Sequence, residues 1–280
     1  MKLGYTVWTW MNPMHLKCGE MSAPLIRGDF EQSLKDLQDL RYEAVECFGF
    51  LADYYENDVE GFQALMKRYD LEFVNLYHYF SDDLDADIKN AERYCKFLKA
   101  IGADTMNIQA KMWKDTPYNR PFDKSAVDGY IDGCHKIGKI CKEYGVKLCL
   151  HPHANTAVFA EESLDYFVRN TDPGLVSLCL DTAHTTLAGM DAPKIFDKYA
   201  DRIGYVHLKD LDPDESLNPE WPMKRFRALG LGCIDFKGVM NSLRKHNYDG
   251  VVCVELDYQR VNNYESAQRT RDYIHANLGL

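Results

Sequence analysis

Short apolar runs recur along the chain at intervals of roughly 30 to 40 residues, and each has the length of a buried β-strand. They lie at residues 3 to 8, 44 to 48, 72 to 76, 104 to 108, 147 to 151, 176 to 181, 203 to 207 and 251 to 255. The segments between them have the period of amphipathic helices. The pattern therefore predicts strict alternation of eight strands with helices.

Two of the intervening segments show the helical period clearly. Each carries apolar side chains on one face and ends at a glycine: Ile88, Ala91, Cys95 and Leu98 precede Gly102, and Ile131, Cys134, Ile137 and Cys141 precede Gly145. Strict alternation requires a parallel sheet with right-handed crossovers, and eight such units close into a barrel. We expect an α/β fold, a (β/α)₈ TIM barrel forming a single domain over residues 1–280. A dinucleotide-binding fold is disfavoured because no glycine-rich phosphate loop follows the first strand.

Composition narrows the classes of partner. The 280 residues are 46% hydrophobic, which suffices for one large core. A net charge of −10 opposes binding to nucleic acid, because phosphate backbones are held by clustered lysine and arginine. The first residues lack a secretory signal and no run reaches membrane-spanning length, so we expect a cytoplasmic protein that does not bind membranes. The nine cysteines are expected to be reduced, since several lie inside apolar runs.

The two longest connections follow the seventh and fourth strands, at residues 210–232 and 113–124. Both begin at the carboxyl end of a strand, which is the catalytic face of such barrels. We expect these loops to cover a site.

Four consecutive strands are expected to end with polar side chains that point into the barrel. Residues two apart on a strand share a face, and the apolar set of each strand should face the helices. The inward side chains at the strand ends are then His151, Asp181, His207 and Glu255. One such residue alone is as readily a hydrogen-bonded core residue. Four at matching depth predict a metal site, and two imidazoles with two carboxylates suit Mn²⁺ first, with Co²⁺, Zn²⁺, Fe²⁺ or Mg²⁺ as alternatives.

At these positions the sequence resembles the xylose isomerase-like TIM barrels. The motifs that carry the resemblance are His-Pro-His-Ala-Asn-Thr at 151–156, Leu-Asp-Thr-Ala-His at 180–184, Val-His-Leu-Lys-Asp at 206–210, Gly-Leu-Gly-Cys-Ile-Asp-Phe at 230–236 and Val-Glu-Leu-Asp at 254–257. The superfamily includes sugar isomerases and epimerases, inosose dehydratase, dehydroshikimate dehydratase and endonuclease IV. The resemblance implies that the same four residues bind one divalent metal ion.

The sequence departs from parts of this superfamily in two places. Ketose epimerases carry Glu where this chain has His151, whereas inosose dehydratase-like members carry a similar His-rich segment, and this favours a dehydratase. Endonuclease IV needs an Asp-x-His pair after the seventh strand, where this chain reads Lys-Arg-Phe-Arg at 224–227. A trinuclear zinc nuclease is therefore disfavoured.

Three residues are candidates for the chemistry. His153 is inward, and the resemblance to dehydratases suggests that it is the base that removes a proton next to a carbonyl, with orientation of a metal ligand as the alternative. Lys209 could steady an oxyanion or protonate a departing hydroxyl, or be an ordinary surface lysine. His184 would contact a substrate oxygen or support a ligand.

Four further residues are candidates for substrate binding. Glu46 and Asn107 have inward parity on the second and fourth strands, although capping a loop is as plausible for each. Trp8, on the predicted first strand with Trp10, could stack on a sugar or pack in the core. Arg227 could clamp the substrate or be a solvated loop charge.

The expected substrate is a small sugar or cyclitol that carries a carbonyl group. A bound metal would stabilise the enediolate formed by α-proton removal. We favour subsequent loss of a β-substituent, as in inosose dehydratase, with isomerisation or epimerisation as the alternative. Elimination from a 3-keto-glycoside (C-glycoside) with the help of a second subunit, and a binding protein without catalysis, stay open. The resemblance favours a homo-oligomer.

Overall fold

The structure is a computed structural model that describes residues 1–11, 23–113, 120–217, 219–257 and 261–280. Eight parallel strands form a closed barrel in the neighbour order β1-β8-β7-β6-β5-β4-β3-β2. Their bounds are β1 Lys2–Thr6, β2 Ala44–Phe48, β3 Glu72–Tyr79, β4 Thr105–Gln109, β5 Lys147–Leu150, β6 Val176–Asp181, β7 Ile203–Leu208 and β8 Val251–Val254. The predicted (β/α)₈ barrel is therefore confirmed.

Helices surround the barrel and cover the outward faces of its strands. They are α1 Trp8–Met11, α2 Ala23–Asp39, α3 Ala52–Tyr55, α4 Val59–Arg68, α5 Leu84–Ile101, α6 Lys124–Tyr144, α7 Glu161–Asn170, α8 Thr182–Leu187, α9 Ala192–Lys198, α10 Phe236–Lys245 and α11 Asn263–Asn277, with 3₁₀ turns at Gly49–Leu51, Ala200–Arg202 and Pro222–Arg225. The two predicted helices end as expected. Gly102 and Gly145 follow α5 and α6 with φ of 84° and 75°, a left-handed conformation that glycine adopts without a steric penalty.

The first strand is shorter than predicted, which corrects the placement of two tryptophans. β1 ends at Thr6, and both Trp8 and Trp10 lie in the short helix α1. The indole Nε1 of Trp10 donates a hydrogen bond of 2.8 Å to Asp36 Oδ2 on α2. Trp8 is buried and points elsewhere, against Phe48, with ring centroids 5.2 Å apart.

The predicted side-chain parity of the later strands is observed. Outward residues of β5 to β8 join the large core under the helices, while the inward residues form a separate cluster inside the barrel. That inner cluster consists of Ala44, Val74, Cys149, Cys179, Tyr205 and Cys253. The eight cysteines within the described ranges are free thiols, and Cys18 lies outside those ranges.

The loop after β7 is organised by a short hairpin and a buried carboxylate. Asp210–Leu211 pairs antiparallel with Phe226–Arg227. The carboxylate of Asp210 accepts backbone N–H groups from Gly230, Gly232 and Ile234. Of the loop after β4, residues 114–119 lie outside the described part of the chain. No helix within the described ranges is both long and apolar enough to cross a lipid bilayer.

Candidate active site and metal centre

Four predicted ligands meet at the carboxyl ends of β5 to β8. Each offers one ligand atom, and the ligand atoms of His151, Asp181, His207 and Glu255 all lie within 4.8 Å of one another. All four side chains are buried. The spacing arises because each residue occupies the last inward position of its strand, or the first position beyond it, and parallel pairing brings these ends together.

Asp181 shows how the local structure directs one oxygen to the cluster. Asp181 is the N-cap of α8, and its Oδ1 accepts a hydrogen bond of 2.7 Å from the backbone N–H of His184. The other oxygen, Oδ2, is buried and has no hydrogen-bond partner among the described residues. It lies 3.8 Å from His151 Nε2, the nitrogen that also lies 3.9 Å from Glu255 Oε2.

These atoms fit a divalent metal ion. Both ring nitrogens of His151, Nδ1 of His207 and Oε2 of Glu255 lack an aligned hydrogen-bond partner among the described residues. Buried polar atoms without partners carry a desolvation cost, which a cation between them would remove. Two imidazole nitrogens and two carboxylate oxygens are ligands that first-row divalent metals accept. The group can therefore hold a divalent metal.

His207 lies between two carboxylates. Its Nδ1 is 2.9 Å from Glu255 Oε2, and its Nε2 is 2.8 Å from Glu46 Oε1. Glu46 is itself fixed by Asn75, whose Nδ2 donates a hydrogen bond of 2.7 Å to Glu46 Oε2. Each ring nitrogen therefore faces a carboxylate, which favours the protonated imidazole in the metal-free protein; a bound metal would replace the proton on Nδ1, while Glu46 would hold the proton on Nε2. Glu46, expected at a substrate hydroxyl, is thus placed against a ligand.

Lys209 is buried among carboxylates. Its Nζ lies 2.9 Å from Asp257 Oδ2, 3.0 Å from Glu255 Oε2 and 3.6 Å from Asp181 Oδ2. Burial alone would lower the pKa of Lys209, but the three carboxylates outweigh it and raise this pKa above the usual value. In turn, although burial opposes it, the ammonium is the largest influence holding the pKa of the Glu255 carboxyl well below its usual range. The lysine therefore stays charged and balances the acidic ligands.

The rings of His153 and His184 pack against each other beside the ligands, with centroids 4.0 Å apart and an interplanar angle of 39°. His153 Nδ1 lies 2.7 Å from the carbonyl oxygen of Ala154, which can only accept, so the proton is on Nδ1 and Nε2 has a lone pair. His184 Nδ1 accepts a hydrogen bond of 3.1 Å from the Ala154 N–H. Burial lowers the pKa of His153 to about 3, so this imidazole is neutral at neutral pH.

A cavity of about 440 Å³ opens beside this cluster. His153, Glu255, Asp257, Gln109 and Trp8 are among its lining residues. Asp257 was not singled out from the sequence, although it lies two residues beyond Glu255 and shares its parity. Tyr77, another lining residue, was missed because the third strand extends beyond the predicted end at residue 76 to Tyr79.

Three of the four candidates for substrate binding, Glu46, Asn107 and Arg227, lie outside the lining of this cavity. Arg227 donates hydrogen bonds to the carbonyl oxygens of Lys224 and Phe226 and to the Asp212 carboxylate. It therefore holds the hairpin together. Asn107 is fully buried on β4, and its side-chain amide has no hydrogen-bond partner among the described residues.

Comparison with known proteins agrees with this architecture. An inosose dehydratase of Geobacillus kaustophilus is 30% identical over 269 residues, which cover 87% of this chain and 86% of that protein. The probable 3-DHS dehydratase AsbF of Bacillus anthracis has a similar structure, with a TM-score of 0.77 at 16% identity over 98% of this chain and 99% of that one. The IOLI protein, solved with a bound zinc atom, matches with a TM-score of 0.74 at 16% identity over 97% and 96% of the two chains.

At such low identity the structural matches show the fold alone, whereas the curated relatives are named for an enzymatic activity. The protein is accordingly an enzyme. Residues 34–276 match the family described as xylose isomerase-like TIM barrel. This range includes the four clustered ligands and His153. The chain belongs to the xylose isomerase-like TIM barrel family.

Proposed function

We propose that the protein is a metal-dependent lyase that removes the proton next to the carbonyl of a keto-cyclitol or keto-sugar and expels a β-substituent. The observation that carries the proposal is a neutral imidazole, His153, with a lone pair on Nε2 in the cavity wall beside the four-residue ligand cluster. The inosose dehydratases at about 30% identity support a dehydration of this kind.

His151, Asp181, His207 and Glu255 would hold the metal, with Mn²⁺ as the ion to test first. When bound, a divalent ion supplies Lewis acidity toward oxygen atoms of the substrate. Glu46 would orient His207 before the substrate binds. The hydrogen bond from the His184 backbone N–H would orient Asp181 in the same way. Lys209 keeps Asp181 and Glu255 ionised, which is the form that binds a cation.

His153 would accept the substrate proton at Nε2. The hydrogen bond from Nδ1 to the Ala154 carbonyl fixes the ring and stabilises the positive charge that forms on protonation. The departing hydroxyl takes up a proton when it leaves as water, and His153 holds one after the first step. A single imidazole therefore closes the proton balance of the elimination.

Incubating the Mn²⁺-loaded protein with inosose in D₂O tests the proposal. We expect mass spectrometry to show loss of water from the substrate. The rate should decrease by at least about 100-fold in His153→Asn, whereas its metal content should not change. His246→Asn, at an exposed histidine that contacts Asp197, is the control and should retain the rate. Deuterium uptake without loss of water would indicate an isomerase or epimerase. If a fully metal-loaded protein shows no deuterium uptake and no loss of water, the proposal is contradicted.

A further inference from the structure

Three thiols lie inside the barrel beneath the ligand cluster. Cys149 on β5, Cys179 on β6 and Cys253 on β8 are fully buried and belong to the inner cluster. Each lies two residues before a ligand on the same strand, so it shares the inward face of that ligand. Inward positions of such barrels are usually filled by bulky apolar side chains, whereas a buried thiol can also bind a metal. The proposed chemistry uses none of these thiols, so their neighbours decide what they can do.

One of these thiols forms a compact group with two imidazoles. The Sγ atom of Cys179, one ring nitrogen of His151 and one ring nitrogen of His207 all lie within 4.8 Å of one another, and all three side chains are buried. We call these three residues the thiol set. Cys179 precedes Asp181 by two residues on β6, so its side chain leaves the strand about 7 Å closer to the amino end. The same two imidazoles therefore have carboxylates on one side and a thiol deeper in the barrel.

The spacing of the thiol set is close to that of a tetrahedral metal site. Bond lengths to zinc of about 2.1 Å for nitrogen and about 2.3 Å for sulfur place the ligand atoms roughly 3.3–3.6 Å apart. Small side-chain movements would therefore bring the three atoms of the thiol set to coordinating distance. Both ring nitrogens of His151 are buried and lack a hydrogen-bond partner among the described residues. A cation that contacts either nitrogen would remove the cost of burying it without a partner.

A second thiol lies near His207 but is less suited to a metal. The ligand atoms of Cys253, Glu46 and His207 also lie within 4.8 Å of one another. Glu46, however, already accepts a hydrogen bond from Asn75 and lies 2.8 Å from Nε2 of His207. The thiol of Cys253 donates to a backbone carbonyl oxygen at 3.7 Å. Because these two side chains already have partners, the observations favour the group that contains Cys179.

We infer that the thiol set is a second metal position, deeper in the barrel, which takes thiophilic divalent ions such as Cd²⁺ and Zn²⁺. Carboxylate oxygens suit Mn²⁺ and Mg²⁺, whereas a thiolate with imidazoles suits softer ions. When the ion binds, the sulfur of Cys179 forms a bond to it and the thiol proton is released to solvent, so no electron is transferred. Both positions need His151 and His207, so only one can be occupied at a time. Loss of catalysis on occupation of the thiol set rests on the proposed function.

Ultraviolet absorption during titration of the metal-free protein with Cd²⁺ tests the inference. A bond between cadmium and a thiolate gives a charge-transfer band that carboxylate and imidazole ligands do not give, and we expect this band to saturate at one ion per chain. Cys179→Ser should remove the band and weaken Cd²⁺ binding by at least about tenfold, since even the hydrogen-bond partners of a metal ligand contribute that much. Cys149→Ser, the same replacement at another fully buried inward thiol, is the matched control and should retain the band.

Displacement of Mn²⁺ from the unaltered protein is a second measurement, which needs no replacement in the core. Electron paramagnetic resonance should show that each Cd²⁺ bound releases one Mn²⁺ to solution. Cd²⁺ binding without the charge-transfer band, a band that survives Cys179→Ser, or Mn²⁺ retained beside bound Cd²⁺ would overturn the inference. The expected band together with no reaction of the Mn²⁺-loaded protein on inosose would remove the proposed dehydration and leave the thiol set standing. Dehydration without the band would do the reverse.

Discussion

Glu46 contacts His207, a predicted metal ligand, but is not itself a predicted ligand. Replacing Glu46 therefore tests how much the orientation of His207 contributes to metal affinity while all four ligands are kept. Its Oε1 lies 2.8 Å from His207 Nε2, and its Oε2 accepts the hydrogen bond from Asn75. Glutamine has the same shape but no charge. In Glu46→Gln, the proton on Nε2 loses its stabilisation, and Nδ1 is no longer held as a lone-pair donor toward the cluster.

The magnitude follows from the type of contact. Removing a hydrogen-bonding or charged group that orients a metal-bound histidine commonly costs about 10- to 100-fold in metal affinity. This corresponds to about 1.4–2.7 kcal/mol. We expect the loss in Glu46→Gln to fall in this range, because Glu46 is 1% exposed and no bulk solvent can replace its charge.

Competition with a chromophoric chelator would measure the affinities for Mn²⁺ and Zn²⁺. Glu43→Gln is the matched control, since its carboxylate accepts a hydrogen bond from the backbone of Leu3 at the start of β1, away from the ligands. The control should bind metal like the unaltered protein. If Glu46→Gln folds and binds both metals within twofold of the unaltered protein, then the carboxylate does not orient His207 and the argument fails.

Three other changes test separate parts of the site. Lys209→Met should lower the free energy of unfolding of the metal-free protein by about 3–5 kcal/mol, because buried carboxylates lose their counter-charge. In urea titrations, adding Mn²⁺ should restore part of this free energy. Removing the metal by chelation should lower the melting temperature, since the nitrogens of His151 then lack partners, and a melting temperature independent of added Mn²⁺ would speak against binding. Asp210→Ala should accelerate tryptic cleavage at Lys224, because backbone N–H groups of the loop lose their acceptor; Asp197→Ala, at an exposed ion pair, should not.

The strand ends were predictable because a strand has a fixed two-residue period. Once the outward apolar set of each strand is known, the inward direction of His151, Asp181, His207 and Glu255 follows. The same rule failed at Trp8, because the alternation was extended beyond Thr6, where the chain turns into α1. Period alone does not mark where a strand ends.

Contacts across the barrel could not be predicted from the sequence. The inward parity of Glu46 was expected, but its partner His207 lies on β7, which is not adjacent to β2. The distance between them depends on barrel closure and on the size of the side chains beneath. Likewise, the surroundings of Lys209 were not evident, because its carboxylates come from β6 and from the end of β8.

The ligand cluster and most of the aromatic rings that line the cavity come from different halves of the chain. The ligands lie at the carboxyl ends of β5 to β8, whereas Trp8 lies in α1, Phe48 in β2, and Tyr77 and Tyr79 in β3. The two halves are contiguous in sequence and meet at α6, so one crossover within residues 124–144 would separate them. Half-barrel chimeras with related barrels should then exchange ligand preference while the metal-binding half is kept. Metal binding would survive such an exchange only if the incoming half also supplied the carboxylate of Glu46, which contacts His207 across the barrel.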